Sequence, residues 1–203
     1  SGANASLENK DISSGLEEIA HASIVLMQLE IPLEVVQYVT AFAREKEVKV
    51  ILNPAPANIL SPELLQSLFI LTPNRTEAAM LSGINITNIE TAKKAAKAIY
   101  NKGVKNVVIT MGPLGAVVCQ QGKCVVVETL KVETVDTTAA GDVFNGALAV
   151  ALSEEKDLLE AVQFACEAAS LSVTRLGAQS SIPYRNELIA NKLNIAGSTN
   201  LAP

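Results

Sequence analysis

The chain of 203 residues has no tryptophan and a single histidine, His21. Catalysis resting on several imidazoles, or a multi-His metal centre, therefore has at most one residue to draw on. His21 reads as a surface residue just before a strand. The three cysteines, Cys119, Cys124 and Cys166, are too sparse for a disulfide framework and suit reduced thiols. Cys119 and Cys124 flank Gln120-Gln121-Gly122-Lys123, a pattern that lets them face each other across a hairpin. A zinc site there would need two further ligands, which the spacing does not supply. Basic residues are outnumbered, 16 to 21, giving a net charge of −5 with no Lys/Arg cluster, which argues against a nucleic-acid face. The longest apolar runs are strand-length, so none is expected to cross a membrane as a helix. Ser1-Gly2-Ala3-Asn4 carries no basic-then-apolar leader, and a cytoplasmic location is expected. With histidine and cysteine so limited, carboxylates are the natural carriers of chemistry.

What is present suits a compact α/β fold. Apolar residues make up 49% and charged residues 18%, ample for a core at this length. A helix is expected over residues 13–22, a strand over 24–29, and a helix over 33–46 opened by Pro32, with Leu33, Val36, Val39 and Ala43 on one face. A strand follows at 48–52, then the stiff loop Asn53-Pro54-Ala55-Pro56-Ala57. Next come a helix at 62–68, a strand at 69–72 and a helix starting in Pro73-Asn74-Arg75-Thr76-Glu77. An Ala/Lys-rich helix covers 88–102, stopped by Gly103. Strand 106–110 then leads to the turn Met111-Gly112-Pro113-Leu114-Gly115. Residues 116–119 and 123–128 form a hairpin. After a strand at 132–135 come helices at 142–153, 157–174 and 184–193. This alternation predicts a mostly parallel central sheet with helices on both faces and one antiparallel hairpin. We expect one domain over 1–195 and a tail over 196–203. In such sheets ligands bind beyond the carboxyl ends of the strands, so the loops at Glu30, Asn53, Pro73 and Met111, and the loop after 132–135, are expected to share a rim.

The most informative stretch is Asp136-Thr137-Thr138-Ala139-Ala140-Gly141-Asp142. Small polar residues give way to a helical apolar spacing, Val143, Ala147, Val150 and Ala151. A helix N-terminus offers backbone N–H groups and a favourable dipole to an anion, and small residues allow close approach. Asp142 then has two readings. It caps the helix, or it sits beside a bound phosphate to take a proton from an attacking hydroxyl. Asn74 and Glu77, three apart at a helix start, likewise read either as a capping box or as a carboxylate–amide pair for hydrated Mg²⁺. Gly177 reads as a plain helix C-cap or as part of a functional loop. Glu30 closes an apolar strand and by itself reads as a solvated end.

The Asp136–Asp142 run, followed by Phe144-Asn145-Gly146, resembles the signature of the ribokinase family of sugar kinases. Pro73–Glu77 resembles that family's Asn-x-x-Glu element, with Arg75 where the family often has Glu. Thr110–Gly115 resembles its nucleotide-contact turn, and Arg175-Leu176-Gly177-Ala178-Gln179-Ser180-Ser181 its monovalent-cation loop. The resemblance runs in register from residue 2 to about residue 190. It implies a ribokinase-like three-layer α/β/α fold and ATP-dependent phosphorylation of a sugar primary hydroxyl, ribose at O5 foremost. Asp142 would be the catalytic base, with Ala139, Ala140 and Gly141 forming the anion cradle. Asn74, Glu77, Thr110, Gly112, Gly115, Gly141 and Cys166 would serve the nucleotide and Mg²⁺, and Glu30 and Asp142 the sugar. K⁺ would be held by backbone carbonyls of Asp136, Thr138, Ser172, Arg175 and Gly177 and by the Ser181 hydroxyl. The family's N-terminal sugar-binding and lid portion, which also makes its homodimer contact, is not recognisable here. A fructose or nucleoside kinase, or a silent nucleotide-binding module, are the alternatives.

Overall fold

The computed structural model describes residues 2–189. The expected tail at 196–203 and the end of the last expected helix, beyond 189, lie outside the described residues. The chain divides into two compact units, Ser1–Val127 and Glu128–Pro203.

The first unit runs α1 (Asn9–Ile12), α2 (Leu16–His21), β1 (Ile24–Gln28), α3 (Leu33–Glu45), β2 (Lys49–Asn53), α4 (Pro62–Ser67), β3 (Ile70–Leu71), α5 (Arg75–Ser82), α6 (Ile89–Tyr100), β4 (Asn106–Thr110), β5 (Ala116–Gln120) and β6 (Lys123–Val127). Its six strands lie in the order β1-β2-β3-β4-β5-β6. β1 to β4 are parallel, and β4-β5-β6 are antiparallel. The helix starts are locally encoded. Ser61 caps α4 with Pro62 at its first turn, and Asn88 caps α6 in a reciprocal box with Thr91. Gly83, in the left-handed region at φ 73°, ends α5.

One face of the sheet carries Val50, Leu52, Leu71, Val107, Ile109, Val117 and Cys119. They pack with Val36 and Ala43 of α3, Leu64 and Leu65 of α4, Ala78 and Leu81 of α5, and Ala92, Ala95, Ala96 and Ile99 of α6. Ile51, Ile70, Val108 and Val118, alternating with these, are equally buried. That is why β2 and β4 read as continuous apolar runs and not as alternating ones. Each such side chain contributes about 1.5–3 kcal/mol through burial.

The second unit holds α7 (Ala140–Ser153) and α8 (Leu158–Ser172), which pack on each other, and a helical stretch at 185–189. The expected apolar face of α7 needs correction. Val143, Ala147 and Ala151 are covered, but Val150 is 45% exposed, and Phe144, Leu148 and Leu152 are buried instead. Residues 128–135 form no strand. The expectation of a strand before the signature loop fails because Val132 and Val135 are exposed, and the N–H groups of Val135 and Asp136 go to one carbonyl, that of Val173. α7 also begins two residues earlier than the spacing suggested, at Ala140.

Candidate active site

In the first unit the rim at the carboxyl ends of β1 to β4 is tied by polar groups. The Gln28 amide donates to Asn53 Oδ1 (3.2 Å), and the Asn53 amide donates to the Thr72 carbonyl (2.8 Å). Leu29 N–H bonds the Ala55 carbonyl, and Thr110 N–H bonds the Pro73 carbonyl. Asn74 pairs with Thr110 as an isolated parallel bridge. The loops at Glu30, Asn53, Pro73 and Met111 therefore follow neighbouring strand ends, as expected. The linking role of Gln28, Asn53 and Thr72 was not anticipated; the available signal was a polar residue closing each apolar strand.

Asn74 and Glu77 form the capping box. Asn74 Oδ1 accepts from the N–H groups of Thr76 (2.8 Å) and Glu77 (3.0 Å), and Asn74 N–H donates to Glu77 Oε2 (2.8 Å). Asn74 Nδ2 adds a bond to Glu77 Oε1 (2.7 Å). Asn74 Oδ1 is thus committed to the helix. Glu77 is 5% exposed, and burial raises its pKa, partly offset by the Asn74 N–H. The fit to a metal is consequently specific: Glu77 suits the water shell of Mg²⁺ through its remaining lone pairs, whereas Asn74 acts by orienting Glu77. Among the described residues no three His, Cys, Asp or Glu side chains gather as a ligand cluster.

Gly112 and Gly115 lie at φ 61° and 84° in the turn after β4. Met111 N–H bonds the Gly115 carbonyl (2.8 Å) and Gly115 N–H the Gly112 carbonyl (3.0 Å). Nothing stands within 4 Å of where a Gly112 Cβ would be, so glycine is required there by conformation and not by crowding. Glu30 is exposed, two residues beyond β1, and His21 is exposed with Nδ1 against the Glu17 carbonyl.

In the second unit Ala139 precedes α7 with φ 60°, a left-handed residue with no side-chain cap. Asp142 is therefore not the N-cap: that residue is Ala139, and Asp142 is the third helical residue and exposed. Ala140 N–H goes back to the Thr137 carbonyl, and the helix geometry directs the following N–H groups out of its start. Asn145 Nδ2 bonds the Gly141 carbonyl (2.8 Å) and holds this first turn. Beside it is a cavity of about 440 Å³, lined by residues including Ala139, Asp142, Val143, Ala147, Phe164 and Leu188.

The Asp136 carboxylate organises the neighbouring loop. Oδ1 accepts from the Thr138 hydroxyl (2.7 Å) and N–H (2.9 Å), and Oδ2 accepts from Gly177 N–H (2.9 Å). The Thr138 hydroxyl, then Gly177 and the Thr138 N–H, hold the carboxylate down at about 2. Gly177, at φ 91°, lies five residues past the end of α8, so it is not that helix's C-cap; Val173 is. Arg175 N–H bonds the Ser172 carbonyl, and the Arg175 side chain pairs with Glu187 (2.5 Å). Ser181 is buried, and its hydroxyl donates to the Ala178 carbonyl (2.7 Å). A hydroxyl and backbone carbonyls are the donor set that suits a weakly hydrated monovalent ion rather than a dense divalent charge. Cys166 is buried on α8, its carbonyl accepts from the Thr129 hydroxyl (3.1 Å), and burial with nearby Glu167 pushes its thiol up to about 12. It offers packing, not a thiolate.

The chain matches the pfkB family carbohydrate kinase profile over residues 1–185. It is 46% identical over 189 residues to a ribokinase of Haemophilus influenzae, an alignment covering 93% of this chain and 62% of that protein. Among solved structures it resembles the ribokinase of Thermotoga maritima (44% identity, TM-score 0.83, 93% and 62% of the two chains). It also resembles an Arabidopsis thaliana ribokinase complexed with ribose and ATP (36% identity, TM-score 0.83, 88% and 58%). These likenesses carry the ribokinase-like α/β/α fold. The chain spans somewhat under two thirds of the length of these relatives.

Proposed function

The chain belongs to the pfkB family of carbohydrate kinases, and from that premise we propose that it serves ATP-dependent phosphorylation of a sugar primary hydroxyl, with ribose as the sugar. The observation that carries this reading is Asp142: a carboxylate on the first turn of α7, behind a cap that has no side-chain oxygen, beside a cavity. An exposed carboxylate in a field of outward N–H groups is well placed to accept a proton from a hydroxyl as that oxygen attacks phosphorus. The small residues Ala139, Ala140 and Gly141 would let the transferring group's oxygens reach the backbone N–H groups, which stabilise charge only where it develops. The Arabidopsis relative was solved with ribose and ATP, and we adopt that pair for this chain.

The remaining roles are proposals of the same kind. Glu77, oriented by Asn74, would hold a water of hydrated Mg²⁺, which when bound screens phosphate charge. The Gly112–Gly115 turn, Thr110 and Cys166 would border the nucleotide, and Glu30 would meet sugar hydroxyls. Carbonyls of Asp136, Thr138, Ser172, Arg175 and Gly177, with the Ser181 hydroxyl, would hold K⁺ and so steady the loop before the cradle. Action on the sugar in the cytoplasm, and pairing of the full-length protein as a homodimer, complete the proposal.

The test is turnover of ATP and ribose by the purified chain and by Asp142→Asn. The variant is expected to lose about 10²–10⁴-fold in turnover, the usual share of a general base, while nucleotide binding persists. Turnover near wild type in the variant rejects the assignment. Nucleotide binding without turnover in the wild type favours the silent nucleotide-binding module.

A further inference from the structure

The two sulfurs of the hairpin take no part in the proposed reaction. β5 and β6 are joined by Gln121 and Gly122, both at positive φ (51° and 73°), which is a type I′ turn. The register pairs Gln120 with Lys123 and, one step on, Cys119 with Cys124. Residues flanking a two-residue turn form the hydrogen-bonded pair, so Cys119 and Cys124 form the next, non-hydrogen-bonded pair, where side chains approach most closely. Both face α6: Cys124 Sγ lies 3.7 Å from the Lys93 carbonyl, and Cys119 belongs to the core under that helix. Their sulfurs are 2.7 Å apart, and both thiols are free. An S–S bond is about 2.05 Å, so a movement of well under 1 Å joins them.

The two thiols are not equivalent. Cys119 is fully buried. Desolvation, reinforced by the Cys124 thiol, pushes its pKa up to about 12, against a smaller opposing pull from Lys97. Cys124 is partly buried and lines a surface groove of about 500 Å³ with Glu90, Lys93, Lys94, Lys97 and Gly122. The groove therefore gives access to one sulfur while the other waits behind it; among the groove's charged groups Lys93 is paired with Glu90 and Lys97 bonds the Gly122 carbonyl.

We propose that Cys119 and Cys124 form a reversible dithiol–disulfide modification site whose oxidant is a hydroperoxide. The Cys124 thiolate attacks a peroxide oxygen: the S–O bond forms, the O–O bond breaks, sulfur is oxidised by two electrons and hydroxide leaves. Cys119 then attacks the Cys124 sulfenic acid: the S–S bond forms, the S–O bond breaks and the hydroxyl leaves as water with the Cys119 proton. In sum, two thiols and one hydrogen peroxide give one disulfide and two waters. A dithiol reductant reverses it by exchange.

Cys166, the one cysteine of the second unit and itself buried, is the internal control. The experiment treats the reduced wild-type chain with hydrogen peroxide, alkylates free thiols after denaturation, and reads intact mass and the peptide map. Alkylated thiols are expected to fall from three to one, with the peptides of Cys119 and Cys124 linked within one chain, and a dithiol restores all three. Cys124→Ser is expected to keep Cys119 and Cys166 alkylatable. Three alkylatable thiols after peroxide, a sulfinic acid at Cys124 beside a free Cys119, or a linkage between chains would each overturn the site. The wild-type measurement needs no substitution and stands even if the serine variant fails to fold.

Discussion

Replacing Asn74 by Ala separates the two duties of its side chain. Oδ1 accepts from two N–H groups at the start of α5, and Nδ2 donates to a carboxylate that is 5% exposed. Losing the cap costs about 0.5–2 kcal/mol. Losing a hydrogen bond to a charged, buried acceptor costs about 1.5–3 kcal/mol. The Asn74 N–H bond to Glu77 Oε2 survives the substitution, so Glu77 keeps one partner, and we expect a net loss of about 3 kcal/mol because the two losses overlap. Asn74→Ser keeps a capping oxygen but not the amide donor and is expected to fall between wild type and Asn74→Ala. Asn74→Asp keeps the cap and sets a second carboxylate against Glu77. It should be destabilised at neutral pH and recover as pH falls and one of the two protonates. Urea unfolding of the four proteins across pH measures all of this. An Ala variant within about 0.5 kcal/mol of wild type, or an Asp variant as stable as wild type at neutral pH, would refute the assignment of two separate duties to this side chain.

Asp136 supplies a pH test. Its folded pKa, about 2, is below the ordinary 3.8, so its contribution is present above 3.8 and is lost as pH falls through about 2. Asp136→Asn should show a flatter fall in unfolding midpoint across that window than wild type. Ala139 is left-handed at a helix N-cap, where Gly is preferred over Ala, so Ala139→Gly should leave stability unchanged or raised. Ala139→Val, with a β-branched side chain at positive φ, should lose about 1–2 kcal/mol in the same urea assay. Leu148 is fully buried and Val150 is 45% exposed. Leu148→Ala should cost about 2–5 kcal/mol and Val150→Ala less than about 0.5 kcal/mol, as read from unfolding midpoints; equal losses would contradict the observed face of α7.

Much of this protein was legible before its structure, because the cues are local. Apolar runs and helical spacings place β1, β2, β4 and α3 to within one or two residues, since side-chain period depends on the backbone of the same few residues. The pairing of Cys119 with Cys124 across Gln121-Gly122 was readable for the same reason. Where the spacing served less well was the start of α7 and its buried face, since a helix apolar on most of its circumference does not say which side is covered.

The sequence alone determined most of the element order, the family signature and the residues that could carry chemistry, the carboxylates Asp142 and Glu77 foremost among them. Tertiary structure decided which partners each one meets. The N-cap of α7 is Ala139, at φ 60°, which puts Asp142 at the third helical position instead of at the cap. At Asn74 the structure shows the capping box, its side chain capping α5 and also bonding Glu77. The Asp136 carboxylate proved to bond Gly177, 41 residues away. Composition and spacing report what a residue can bond; which partner it meets across such a separation depends on how distant segments pack, and no local pattern records that.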